Sequence, residues 1–391
     1  MPALKPLPDC EGPKLEPCPF DVVGPDCQWL AVIEDGHHSA VVKAAIKGKL
    51  YAIKIFFPES LKIVLGTEEI DHFKPLVGEK AMILHLAPFN AECRAFGRLK
   101  EMDCEHAAVR VYGYVNIDMT EAVEQKIRGA MPGRFDDPRS MYAIEGVDLV
   151  LCRVGNTGPP IMAIVKDWIE AAPDFRTDMI AQGRSFRRIL KNLHKLHRCG
   201  IVVRDISDAQ FVNGVLVDLS HARTTPHVFG PDSGIRPAWE WASMAAYDLY
   251  SLQEMIDWWN ETEWSWIPGD APAPKKCTLR AYGDPEGVVL DRLRPRARLE
   301  CQRPYLRMID LHDYEYLQMT HPPRYDPAAF DWRKAVERKK KRGAQAKPSP
   351  SSTGRVQSRV RLGRKRGHAS TGRTRKAAAV KQENGVRVEE E

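Results

Sequence analysis

The chain has 391 residues, 43% hydrophobic and 28% charged, which is ordinary for a globular protein with an ample core. Its nine cysteines are odd in number and none belongs to a CxxC pair, so neither a zinc ribbon nor a disulfide framework is indicated, and reduced thiols are expected. The net charge of +6 hides an asymmetry: residues 331–391 hold 19 Lys+Arg against 6 Asp+Glu, so an acidic body carries a basic tail.

Residues 1–27 are rich in proline and read as an extended lead-in without the apolar core of a secretion signal. No run approaches the ~20 apolar residues that span a bilayer, so no membrane partner is expected. Three β-rich runs follow, Leu30–Ile33, Val41–Ile46 and Leu50–Phe57, the last two turning at Gly48. Helical spacing of Cys93, Phe96 and Leu99 predicts a helix over Asn90–Lys100. Two more strands are expected at Ala108–Val115 and Ile161–Val165, separated by a charge-rich insertion. Phe186, Ile189, Leu190, Leu193 and Leu196 then mark an amphipathic helix over 185–199, with Gly200 as its stop. Beyond it, Phe211-Val212 and Val215–Val217 flank Asn213-Gly214, a strong hairpin signal, and 246–260 is again helical. Apolar periodicity ends at Lys334.

This order of elements resembles the protein kinases, and particular residues carry the likeness. Tyr51-Ala52-Ile53-Lys54 matches the third-strand motif, with alternation placing Ala52 and Lys54 on one face. Glu92 is the expected carboxylate partner of Lys54, ahead of Glu79 and Glu101, with Phe96 one turn on beneath it. The segment from Val203-Arg204-Asp205 to Val217-Asp218-Leu219-Ser220 resembles a catalytic loop, hairpin and metal loop. The resemblance implies Asp205 as general base, Asp218 with Gln210 as Mg²⁺ ligands, and Gly36, Val41, Ala52 and Lys54 around ATP. Asp248, in Asp248-Leu249-Tyr250-Ser251, resembles the buried aspartate that anchors the catalytic loop.

The departures from that pattern are equally specific. Only Gly36 remains of three loop glycines, beside Glu34 and Asp35. Gln210 stands for the usual asparagine, and its amide oxygen lies one methylene farther out than Mg²⁺ geometry tolerates. Val203 replaces the histidine before Arg204, and Ser207 replaces the lysine two after Asp205. Asp218-Leu219-Ser220 lacks the mobile glycine, and the segment 219–247 has no substrate-docking triplet. His221 and His227 lack ligand spacing. These changes favour a degenerate site, a binding or scaffold module, over the alternative of an active ATP-dependent kinase for a Ser/Thr protein or small hydroxylated substrate.

The expected architecture is therefore an α+β, two-lobed kinase-like fold. It comprises the lead-in 1–27, a β-rich N-lobe over 28–165, a mainly helical C-lobe over 166–330, and a disordered basic tail over 331–391. The tail's Arg338–Arg342 and Arg364–Arg366 runs fit nuclear import and weak, non-specific contact with DNA or an acidic partner. Ser349-Pro350 is a candidate phosphosite that would lower the tail's charge. Leu7–Leu15, Gly48–Lys54 and Glu92-Cys93-Arg94-Ala95-Phe96-Gly97-Arg98-Leu99 resemble a fungal family of kinetochore Sim-four complex subunits of the Fta-two type. That likeness implies a kinase-like domain, inner-kinetochore protein partners and a centromeric, nuclear location.

Overall fold

The computed structural model describes residues 11–35, 38–56, 74–118, 120–130, 160–236, 238–269, 272–283 and 323–345. Gly36, the greater part of the insertion after the fourth strand, Ser349-Pro350 and the tail beyond residue 345 lie outside the described residues. The described residues all belong to one compact unit.

β1 (Cys27–Asp35), β2 (Ser39–Ile46) and β3 (Lys49–Phe56) form an antiparallel meander. Lys47 and Gly48, both at positive φ, make the two-residue turn between β2 and β3, a geometry that matches strand twist and suits glycine. Helices α1 (Glu79–Leu86) and α2 (Pro88–Glu101) follow, with Pro88 preorganising the first turn of α2. β4 (Val111–Ile117), α3 (Glu121–Gly129) and β5 (Ile161–Asp167) complete a five-stranded antiparallel sheet of order β1-β2-β3-β5-β4. β4 begins three residues later than the sequence suggests. The preceding Glu105–Ala107 forms a tight turn, and the Val109 amide bonds to Leu216 rather than to a sheet partner.

The pleat divides the sheet between two cores. Tyr51, Ile53, Ile55, Ala163 and Val165 face one way, under α3 and the segment around Val22. Phe56, Ile164 and Tyr114 face the other, where they meet α2 and the second half of the chain. All residues of α2 from Pro88 to Leu99 are buried, so this helix is a central element rather than a surface one.

The lead-in is extended, as its prolines suggest, but it is packed. Glu16 and Cys18 bond to both backbone groups of Tyr114, giving β4 a partner along its outer edge. Leu15 is fully buried. A Cβ on Gly97 would lie 2.6 Å from the Lys14 backbone, so glycine there lets the lead-in lie directly on α2.

The second half opens with α4 (Phe175–Arg198), which begins ten residues before the apolar repeat indicated. Asp174 caps it, accepting from the Thr177 amide at 2.8 Å. Its early turns break the apolar pattern because Gly183 sits against the Trp259 ring, where any Cβ would clash. Next come β6 (Ile201–Val202), the β7 (Phe211–Val212) and β8 (Val215–Leu216) hairpin, and β9 (Arg223–Thr224), which pairs with β6. Asn213 and Gly214 both take positive φ in the hairpin turn, as their sequence predicts. α5 (Ala238–Glu261) packs against α4.

Within the span expected to be a disordered tail, residues Trp332–Gln345 form helix α6. Trp332, only 6% exposed, fixes its start to the body, an anchor that a count of apolar periodicity misses because it is a single side chain. No helix among the described residues is long and apolar enough to cross a membrane. The six described cysteines are free thiols.

Candidate functional site

β3 carries Lys54 inward, and its position in the ladder sets its neighbours. Val41 of β2 and Ile164 of β5 are its cross-strand partners, and Ala52 pairs with Lys166 of β5. All of these share the sheet face that looks onto α2. Lys54 Nζ lies 3.1 Å from Glu92 Oε2 and 2.6 Å from Asp218 Oδ1. Glu79 and Glu101 lie elsewhere, paired with Lys74 and Arg98.

Sequence reasoning missed Lys166. Its amine pairs with Glu92 Oε1, donates to the Val217 carbonyl at 2.8 Å, and stands over the Phe96 ring. Alternation along Ile161–Asp167 could have found it: Met162, Ile164 and Lys166 share a face, and only one is charged. The result is a set of two lysines and two carboxylates with no net charge, in which Lys54, Lys166 and Glu92 are buried and Asp218 is partly exposed. Burial would raise the pKa of Asp218, but Lys54 and Lys166 overcome this and hold it well below the carboxylate range. Burial likewise opposes the charge on Lys54, yet Glu92 and Asp218 raise its pKa overall. For Lys166 burial dominates and the pKa is lowered, against the pull of Glu92.

α2 serves this cluster along its whole length. Beside Glu92, Arg94 donates to the Glu11 and Thr224 carbonyls, and Arg98 to those of Cys199 and Thr225. The segment Glu92–Leu99 thus ties together the sheet, the lead-in and the strand β9. Buried arginines recur there because a guanidinium can satisfy several carbonyls at once.

The loop bearing Asp205 is held from below by α5. Asp248 accepts from the Val203 and Arg204 amides at 2.9 and 2.7 Å, and from His197 at 2.9 Å. Arg204 sits at φ 70°, an unfavourable conformation for a side-chain-bearing residue that these bonds impose. Burial raises the Asp205 pKa, with His221, Asp218 and Lys54 all close enough to act on it. Gln210 directs its amide nitrogen at Asp205 Oδ2, 2.7 Å away. Ser220 closes the other side: its amide donates to Asp218, and its hydroxyl meets His38 Nε2 at 3.0 Å. Lys54, Glu92, Asp205, Gln210 and Asp218 therefore converge, with Val41 and Ala52 on the adjoining sheet face. Gly36 is outside the described residues. Among the described residues no group of three His, Cys, Asp or Glu side chains is placed to hold a metal ion.

A comparison with curated proteins finds no match. The model of the family described as kinetochore Sim4 complex subunit FTA2 matches residues 3–223. That span runs from the lead-in through the sheet, α2, α4 and the Asp205–Asp218 loops to β9. Because it covers more than half of the sequence, this chain belongs to the kinetochore Sim4 complex subunit FTA2 family.

Proposed function

We propose that this chain is a kinase-like, catalytically degenerate subunit that serves a kinetochore assembly as a protein-binding scaffold. Family membership supports the kinetochore setting, and with it protein partners and a nuclear, centromeric location. The sheet order, the α2 carboxylate on Lys54 and the Asp248-anchored loop support kinase-like ancestry. One observation carries the degeneracy: Asp218, the expected metal ligand, is taken up by Lys54 at 2.6 Å, while Lys166 occupies the other oxygen of Glu92.

In a working site the amine would hold nucleotide phosphates and the aspartate a metal ion. Here each neutralises the other, and a second amine completes the balance. Gln210 donates its amide nitrogen to Asp205, and its side chain is one methylene longer than the asparagine that a Mg²⁺ site of this kind uses. The residues present therefore do not fit Mg²⁺, and no phosphoryl-transfer step is derived through it. The basic tail would add weak contact with DNA or acidic partners.

The test is thermal unfolding of the full chain with ATP, with and without Mg²⁺. No metal-dependent shift is expected. A shift of several degrees that requires Mg²⁺, with turnover lost in Asp205→Asn, would establish the second reading instead. That reading is an active kinase for a Ser/Thr protein or a small hydroxylated substrate, and the convergence of Lys54, Glu92, Asp205 and Asp218 favours it.

A further inference from the structure

Helix α4 has two faces of opposite character. Phe186, Ile189, Leu193 and Leu196 enter the core. The outer face carries Arg184, Arg187, Arg188, Lys191, Lys195 and Arg198, at spacings of three and four residues that align them in one stripe. Between Met179 and Arg198 the helix has no Asp or Glu at all. At 1.5 Å per residue the stripe is about 21 Å long.

Some of these cations have structural work. Arg188 donates to the Asn213 carbonyl, Lys195 meets His106, and Arg198 stacks on Tyr325. Arg184, Arg187 and Lys191 are exposed, and no carboxylate among the described residues pairs with them. A row of like charges repels itself, by roughly 0.2–0.5 kcal/mol for each neighbouring pair on a helix. For Arg184, Arg187 and Lys191 no carboxylate among the described residues offsets that repulsion, so a partner of opposite charge would relieve it.

The stripe does not end at Arg198. That residue lines a groove of about 680 Å³ together with Arg324 and the α6 residues Arg338 and Arg342. Three of the acids along the groove are already neutralised, Glu101 by Arg98, Asp103 by Arg342 and Asp331 by Lys334. The α4 stripe and the basic helix α6 therefore meet at this groove, whose lining holds seven Lys or Arg side chains against four acidic ones.

We propose that this folded surface, α4 with α6, binds the phosphate backbone of duplex DNA. The outer face of α4 offers straight rows of cations and no exposed apolar anchor between Arg184 and Arg198. Peptide interfaces draw their energy mainly from buried aromatic and aliphatic anchors. Backbone binding needs none, since releasing condensed counterions from a duplex, which carries a charge every ~1.7 Å, supplies the free energy. Binding of this kind is independent of base sequence and does not depend on the fate of the Lys54–Asp218 cluster. It places DNA contact on the folded body, not on the tail alone.

The test uses the full chain and a fluorescein-labelled 30-base-pair duplex, titrated by anisotropy from 50 to 200 mM NaCl. The variant Arg184→Glu/Arg187→Glu/Lys191→Glu alters only exposed side chains that pair with no carboxylate among the described residues, and circular dichroism and thermal unfolding confirm its fold. The control Lys47→Glu/Lys275→Glu/Lys276→Glu makes the same change in net charge at other exposed sites. The α4 variant is expected to bind at least tenfold more weakly at 100 mM salt, and to lose about 2.7 from the slope of log K against log[salt], three contacts at 0.9 each. The control is expected to keep the wild-type slope. Equal weakening by both variants, or an unchanged slope in the α4 variant, would overturn the proposal. So would a poly-glutamate peptide that binds the wild-type chain more tightly than the duplex at the same salt.

Discussion

Replacing Lys166 by methionine removes one amine from the buried cluster while keeping a side chain of similar length. Glu92, fully buried, is then left to Lys54 alone at 3.1 Å, and Lys54 must also serve Asp218 at 2.6 Å. At an effective dielectric near 20, an ion pair at about 3 Å contributes roughly 5–6 kcal/mol. Part of that loss is offset because the ammonium no longer has to be desolvated. The net cost of breaking one partner out of a buried pair is about 3–5 kcal/mol. Adding Glu92→Gln restores charge balance, leaving Lys54 and Asp218 as a matched pair, so the double variant should lie within about 2 kcal/mol of wild type. Urea unfolding followed by tryptophan fluorescence measures all four states of the cycle. A cost below about 1 kcal/mol for Lys166→Met, or single-variant costs that simply add within about 0.5 kcal/mol, would show that Lys166 does not neutralise Glu92.

Other perturbations probe the surrounding frame. Gly97→Ala drives a methyl into the Lys14 backbone and should cost about 1–3 kcal/mol, with faster proteolysis within 11–18 as the lead-in detaches from α2. Asp248→Ala orphans the buried Val203 amide and the part-buried Arg204 amide and should cost at least about 1–3 kcal/mol, read as lost hydrogen-exchange protection at Val203 and Arg204. Acid should weaken the fold below pH 6.5. Burial holds His227 well below its ordinary pKa and pulls His85 down to about 3, so the unfolded chain binds protons that the folded one refuses. Each group contributes at most about 1.4 kcal/mol per pH unit until its folded pKa is reached. The urea midpoint should therefore fall between pH 7 and pH 5, and His227→Phe should flatten that fall. Identical midpoints at the two values would contradict the assignment. Asp218 acts lower still: its folded pKa is depressed, so its stabilisation holds above the unfolded value near 3.9 and fades as pH drops below it.

Much of this arrangement is legible in local sequence. Side-chain alternation fixes β3 and the inward direction of Lys54, and the Asn213-Gly214 turn needs only its own two residues to declare itself. A helix around Glu92 and the amphipathic core face of α4 follow from spacing, because burying one stripe requires that period. Tertiary structure alone decided the rest. It placed Lys166 across from Ala52, turned Gln210 toward Asp205, laid residues 11–18 along β4 and α2, and anchored α6 through Trp332. All but the Gln210–Asp205 contact, which spans five residues, join residues far apart in the chain. Their energies come from charge balance and close packing, which depend on distance in space, and no short window of sequence contains that distance.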